Sequence, residues 1–552
     1  MCDECGSLMY SQEGYPSITA TCLGFILSSS LPPRARSSPH LEKRFRCLLG
    51  FWEPPYSPVV LLEESTRANP IKTSGTKEEM QYLTIPESCY RIFRRSKIFP
   101  ACLPCALPKE LFPQLFLDAF HFVCIDTLKA IGQIWPFPSL PLGTLLDKAI
   151  PCMESLEAVL DGIDLLLAQE VRPRRCKLQV LDFCLSGDRF WNQWCDIPVR
   201  WHQETNPPLS VGSCIKGHTS ALLEVVIDLT VGIGPLSKVQ ARILQWAKAR
   251  KNIHLCCRKI TFLHVPTFVT CLNDIEFTCV QEIEVDLCWK ISNLVSFAPM
   301  LGQMRNLQRL NFSTEPPHST TLMTMEGQQQ FVALFSKQFL LLNSLRELYL
   351  DSATFLKGRM NQVLRCLTTH LETLSIMMCT LLIQDMTQMS QCPNLNRLKK
   401  LSLSGTYLRL LSIPLRGLLE NCASTLQDLD LGVCGLQDTH LKEILPGLKL
   451  CSQLRALKLH GNGVSMATLV QVVRHLADLP HLMLEIYPAP LESYSSPGKL
   501  HQRSFDLLCA EMTNVLRDIG KPRSIFLSTK PCTCCVKSIS HNCEPKFLPV
   551  PK

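Results

Sequence analysis

Seven nine-residue phrases recur along this chain at nearly fixed spacing, and no other feature restricts its fold as much. "VQEIEVDLC" begins at Val280, "LQRLNFSTE" at Leu307, "LRELYLDSA" at Leu345, "LETLSIMMC" at Leu371, "LKKLSLSGT" at Leu398, "LQDLDLGVC" at Leu426 and "LRALKLHGN" at Leu454. Successive starts lie 27, 38, 26, 27, 28 and 28 residues apart, and the 38-residue step holds the loop-like "STEPPHSTT". A weaker copy, "LQVLDFCLS" from Leu178, extends the series upstream. Apolar residues fill the first, fourth and sixth positions. In a strand the fourth and sixth point to one side, and the ninth falls in the turn beyond, where Cys, Asn or Thr can be buried against backbone polar groups. Cys288, Cys379 and Cys434 occupy this ninth position, which Asn462 and Thr406 hold elsewhere. Interchange with Asn and Thr argues for a structural thiol and against a nucleophile.

Between the phrases come helical patterns such as Leu410 to Ser424 and Thr439 to Ser452, with apolar residues three and four apart. Strand plus helix in such a period predicts an α/β leucine-rich-repeat solenoid, a horseshoe with parallel strands on the concave face and helices on the convex face. A helical section from Leu107 to Gln169 precedes the array. Its stripes are Leu111, Leu115, Ala119 and Phe122, then Met153, Leu156, Leu160, Ile163 and Leu167, and it reads as an N-terminal helical cap. The domain plan is therefore a poorly ordered segment 1–105, a helical cap and adaptor region 106–170, a solenoid 171–527 and a loose Cys-rich tail 528–552, with a further loop from Trp201 to His218.

The 29 cysteines lack the compact spacing of a secreted disulfide scaffold, and "CLGFILSSS" (Cys22 to Ser30) is too short to span a bilayer. We expect a soluble protein of the cytoplasm and nucleus, without membrane attachment. A formal charge of +8 over 552 residues is too dilute to argue for nucleic acid. The densest basic run, "VRPRRCK" from Val171, lacks interleaved aromatics and reads as a solvated edge. P-loop, GxSxG and HExxH patterns are missing, and the 14 histidines do not cluster with acids, so no enzyme and no cofactor are expected. In the tail, Cys532 and Cys535 form a CxxC pair that His541 and Cys543 would complete as four zinc donors; a frayed terminus is the preferred reading. Two LxxLL phrases, Leu142 to Leu146 and Leu415 to Leu419, match helices that dock into nuclear receptor grooves, yet solenoid packing demands leucines at the same intervals.

The third, fifth and seventh positions of each phrase should face the open concave side. They are Glu282, Glu284 and Asp286; Arg309, Asn311 and Ser313; Glu347, Tyr349 and Asp351; Thr373, Ser375 and Met377; Lys400, Ser402 and Ser404; Asp428, Asp430 and Gly432; and Ala456, Lys458 and His460. Seven acids stand there against three Lys or Arg. The expectation is an acidic surface for a basic target segment, contacted by Glu282, Glu284, Asp286, Glu347, Tyr349, Asp351, Asp428, Asp430, Lys458 and His460, with complementary potential favouring encounter and register.

Longer phrases carry a family resemblance. "LPKELFPQLFLDAF", "LKAIGQIWPFPSLPLGTLL", "LEAVLDGIDLLLAQEVRPRRCKLQVLD", "FAPMLGQMRNLQRL", "LETLSI", "LSLSG" and "YPAPLESY", in this order between Leu107 and Cys535, resemble the PRAME family (preferentially expressed antigen of melanoma). The resemblance implies a leucine-rich-repeat protein without catalysis of its own, a substrate receptor of cullin-2 RING ubiquitin ligases joined through elongins B and C. It also implies repression of retinoic acid receptor signalling and transcription, restraint of differentiation and apoptosis, and support of proliferation. The implied adaptor-binding residues are Leu107, Pro108, Glu110, Leu111 and Leu115. Upstream of them "RIFRRSKIFPACLPCA", with Pro100 and Pro104, departs from the short adaptor helix the family carries there. The alternative function is a co-repressor that binds nuclear receptors or chromatin proteins without recruiting a ligase.

Overall fold

The computed structural model describes residues 109–147, 152–185, 190–191, 222–232, 236–263, 272, 275–285, 297–313, 325–495, 499–520, 524–529 and 547–549. All belong to one compact unit, Ala101–Lys552. The 1–105 segment, the loop from Trp201 to His218 and the zinc candidates Cys532, Cys535, His541 and Cys543 lie outside the described residues.

In chain order the elements are α1 (Phe112–His121), α2 (Ile125–Ile134), β1 (Ser139–Pro141), α3 (Gly143–Leu146), α4 (Met153–Leu167), β2 (Val180–Asp182), β3 (Leu223–Val231), α5 (Lys238–Lys248), β4 (Ile253–Phe262), β5 (Glu282–Val285) and β6 (Arg309–Ser313). There follow α6 (Met325–Phe339), β7 (Glu347–Asp351), α7 (Met360–Leu364), β8 (Thr373–Met377), α8 (Ile383–Gln391), β9 (Lys400–Ser402), α9 (Ser412–Cys422), β10 (Asp428–Asp430), α10 (Asp438–Leu450), β11 (Ala456–Lys458) and α11 (Met466–His475). The chain ends with β12 (Leu484–Pro488), the two-stranded hairpin β13 (Tyr494–Ser495) and β14 (Lys499–Leu500), α12 (Gln502–Ile519), β15 (Ser524–Ser528) and β16 (Phe547–Pro549).

One 14-stranded sheet runs in the order β1 to β12, β15, β16. Its pairs are parallel except the last, β15 with β16. The seven phrases are the consecutive strands β5 to β11, and their fourth positions stand side by side: Ile283, Leu310, Leu348, Leu374, Leu401, Leu429 and Leu457. Each is at most 1% exposed, a burial that stabilises by about 1.5–3 kcal/mol per side chain. The leucine-rich-repeat solenoid expected from the spacing is thus the observed fold. The 38-residue step skips no strand, since β6 and β7 are neighbours; its extra length goes into 314–324, outside the described residues, and into α6, which has 15 residues where α7 has 5. The weak phrase at Leu178 is β2.

The phrase does not mark β1, β3 or β4. The parallel sheet already begins at β1, inside the stretch read as helical, and β3 and β4 are long strands whose register shifts between Ile227 and Asp228. Within the cap, Leu115 and Ala119 are buried as the stripe predicts, but Phe122 is 58% exposed. The reason is local: α1 stops at His121, and Val123 turns through a positive φ of 56°. Phe112, Phe116 and Phe120 form the buried stripe instead, and Phe116 packs on Trp135 and Trp191 at 5.4 and 5.8 Å. Trp135 and Trp191 donate their indole N–H to Ser139 O (2.8 Å) and Pro141 O (3.0 Å), tying the aromatic cluster to β1.

The turns after β7 to β11 each place a left-handed residue at the eighth motif position. Ser352, Met378, Gly405, Val433 and Gly461 all have φ between 50° and 72°. Glycine adopts this without cost, whereas a β-branched residue there is strained by about 1–2 kcal/mol. Val433→Gly should raise stability by about 1 kcal/mol after the added freedom of the unfolded chain is deducted. Its thermal midpoint against that of the parent chain checks this.

Candidate functional site

Four ninth-position side chains, in the consecutive repeats from Leu371 to Leu454, form a ladder. Each donates to the carbonyl of the sixth position in the preceding repeat: Cys379 Sγ to Leu350 O (3.9 Å), Thr406 Oγ1 to Ile376 O (3.0 Å), Cys434 Sγ to Leu403 O (3.1 Å) and Asn462 Nδ2 to Leu431 O (2.9 Å). Asn462 also donates to Leu459 O (2.8 Å), and its Oδ1 accepts from Cys434 N (3.1 Å) and Leu436 N (2.9 Å). Burial pushes the Cys379 and Cys434 thiols up to about 12, so neither supplies a thiolate near neutrality. Cys288 lies outside the described residues.

On the open face of the sheet, opposite charges meet across strands. Lys259 Nζ, one strand before the first phrase, lies 3.1 Å from Glu282 and 2.9 Å from Glu284. Arg309 reaches Glu282 at 3.1 Å and Glu347 at 2.7 and 3.3 Å, and the Tyr349 hydroxyl donates to Glu347 at 2.9 Å. Burial works against the charge on Lys259, but the Glu284 and Glu282 carboxylates override it and hold the ammonium above its ordinary value. Lys259, which counting the phrases alone leaves out, and Arg309 thus offset part of the acid surplus over β4 to β7, where Glu282, Glu284, Glu347 and Asp351 still outnumber them among the described residues. Farther along, Asp430 lies 3.7 Å from Lys458 and accepts from Gly432 N, while Asp428 has no ion-pair partner among the described residues. His460 covers Gly432, where an added Cβ would sit 2.1 Å from its ring; burial lowers its pKa, with Asp430 opposing. Asp351 accepts from the Ser352 hydroxyl at 3.1 Å. Asp286 lies outside the described residues.

A second surface has no counterpart in the sequence reading. Along the turns that follow β8, β9 and β10, Met378, Leu382, Ile383, Tyr407, Leu410, Ile413 and Val433 are exposed, Leu410 at 76%. Each turn leans on a glycine of the next: an added Cβ would come within 2.3 Å of Met378 Sδ at Gly405, 2.8 Å of Val433 Cγ2 at Gly461 and 3.0 Å of Tyr407 at Gly435. Leu381, Leu382, Ile383, Tyr407, Leu410 and Leu411 line a groove of about 800 Å³ between two repeats. Contiguous exposed apolar area of this kind marks protein-binding surfaces. The available sequence signal is Met378 and Val433 at the eighth position, where backbone conformation favours glycine.

The other sequence candidates are placed as follows. Leu107 and Pro108 lie outside the described residues, Glu110 is exposed, Leu111 is half-buried, and Leu115 is 3% exposed with its side chain committed to the cap core. Both LxxLL phrases are buried: Leu142, Leu145, Leu146, Leu415, Leu418 and Leu419 are all at most 6% exposed, which removes them as docking helices. In the basic run, Arg172 donates to Leu178 O and Leu222 O, joining β2 to β3. No described helix is long and apolar enough to cross a membrane.

A parallel sheet built from strand, turn and helix units, stapled turn to turn and presenting an apolar rim, defines a leucine-rich-repeat solenoid. Patterns described as the PRAME N-terminal domain and the PRAME C-terminal domain match residues 94–191 and 223–546. PRAME family member 12 of Homo sapiens is 41% identical over 443 residues, covering 80% of this chain and 91% of that protein. PRAME family member 7 of Homo sapiens is 40% identical over 443 residues, covering 80% and 93%. The chain belongs to the PRAME family. A solved leucine-rich-repeat protein of Leptospira interrogans, 13% identical with a TM-score of 0.24, covers 49% of this chain and 79% of that one and has no weight in the fold assignment, which rests on the sheet itself.

Proposed function

We propose that this protein is a non-catalytic scaffold that holds a protein target on the apolar rim between the repeats starting at Leu371 and Leu454, and carries it to a cullin-2 RING ubiquitin ligase through elongins B and C. The groove lined by Leu382, Ile383, Tyr407 and Leu410 is the observation that carries the binding half of this reading. The ligase half draws on the family resemblance, with Glu110 and Leu111 as the accessible part of the adaptor site among the described residues. Through its target the protein would restrain retinoic acid receptor signalling, transcription, differentiation and apoptosis and favour proliferation, in cytoplasm and nucleus.

The test is proximity labelling with the full chain in cells. Ile383→Glu with Leu410→Glu should remove a defined set of labelled proteins while elongin C and cullin-2 stay. Glu110→Lys with Leu111→Asp should do the reverse. If the rim contains two binding hot spots, the first pair weakens an isolated target by at least about thirty-fold. Absence of elongin C and cullin-2 around the parent chain would exclude the ligase role, and labelled nuclear receptors or chromatin proteins in their place would favour the co-repressor.

A further inference from the structure

The sheet changes character between β4 and β5. To one side the strands follow the repeat phrase, while to the other β3 and β4 lack it and shift register between Ile227 and Asp228. At this junction three metal-binding side chains converge: His254 and Cys256, two residues apart on β4 and so on one face, and Cys279, which ends the 3-10 turn Phe277–Cys279 leading into β5. Their donor atoms all lie within 4.8 Å of one another, with Cys279 Sγ 3.4 Å from His254 Nε2. Tetrahedral zinc bonds to sulfur at 2.3 Å and nitrogen at about 2.05 Å, which places neighbouring S and N donors about 3.6 Å apart. The side chains are 8%, 0% and 4% exposed.

We propose that His254, Cys256 and Cys279 bind a thiophilic d10 cation, zinc or cuprous copper, that fastens the turn before β5 to β4. Donor type and burial agree with such an ion. With zinc, two thiolates and a neutral imidazole cancel the divalent charge, so the zinc site is neutral and is not penalised for burial as an isolated ion would be, whereas a cuprous ion leaves one negative charge. Soft sulfur donors select zinc and cuprous copper over magnesium or calcium. Cys184, 6% exposed after β2, packs in one cluster with Cys256, Cys279 and Val226, but its thiol is not among the three mutually close donors. The ion would take over at this junction the stapling that Thr406, Cys434 and Asn462 perform inside the regular array. The site is separate from the apolar rim and does not depend on the proposed function.

The experiment uses the full chain purified in reducing buffer, with elemental analysis after dialysis against a weak chelator. The parent should retain close to one equivalent of zinc or copper, and elemental analysis states which. Cobalt added to the demetallated chain should give the thiolate charge-transfer band and the intense visible bands of a tetrahedral site. Cys256→Ser and Cys279→Ser, which nearly preserve volume, should each lose the retained metal and shift the cobalt spectrum, with circular dichroism confirming that they fold. Replacing the tail thiols Cys532 and Cys535 should leave retention unchanged. The proposal is overturned if the parent retains no metal and gives no tetrahedral cobalt spectrum, if folded Cys256→Ser and Cys279→Ser retain as much as the parent, or if the tail substitutions abolish retention.

Discussion

Asn462→Leu should lower stability by about 3–6 kcal/mol, although leucine fits the volume and the site is apolar on most sides. Asn462 is 2% exposed and satisfies four backbone groups: it donates to Leu431 O and Leu459 O and accepts from Cys434 N and Leu436 N. Leucine leaves all four unpaired beside the core, and each buried unsatisfied group costs about 1–3 kcal/mol before relaxation. Asn462→Thr should lose about half as much. Thr406 demonstrates that a hydroxyl at this position still reaches the preceding repeat, donating to Ile376 O, but one hydroxyl cannot replace a two-donor amide. Because stability in a stack is shared between neighbours, hydrogen exchange should accelerate first in β10 and β11 and only later toward β5. A loss under about 1 kcal/mol in urea unfolding would contradict the assigned role.

What the sequence disclosed followed from how many residues share one constraint. Seven copies of one buried position, Ile283 through Leu457, gave strand location, parallel order and register together. The ladder at the ninth position was legible for a similar reason: Cys, Thr and Asn have in common only a small polar group able to reach a carbonyl. The two long strands β3 and β4 carry alternation without the phrase, and a pattern search tuned to a period near 28 passes over them. The ion pairing of the open face was not legible because a pair depends on both members, and Lys259 lies one strand outside the phrases. The rim was hidden since exposed Leu410 and buried Leu411, adjacent in sequence, are separated only by which way the turn faces. For His254, Cys256 and Cys279, the last ligand lies on a separate turn, brought near by strand pairing that spacing alone does not state.

Arg309→Met should cost about 2–4 kcal/mol, and the triple variant that also carries Glu282→Gln and Glu347→Gln should recover most of it. The guanidinium, 10% exposed, stands between two carboxylates that are 17% and 20% exposed. Removing it leaves two acids facing each other across one strand with little water to solvate them, and breaking such a pair costs about 3–5 kcal/mol when fully buried. The partial exposure of both acids, and Lys259 still held by Glu282, bring that figure down. Neutral glutamines remove the repulsion and keep hydrogen-bonding capacity for Tyr349, whose hydroxyl now donates to Glu347. If instead the triple variant is as unstable as Arg309→Met alone, the arginine acts through the packing of its stem and not through charge. The comparison also bears on the binding surface. Should the triple variant fold and keep its labelled partners in cells, β5 to β7 are an ion-paired support, and target recognition belongs to the rim built on Met378, Tyr407 and Leu410.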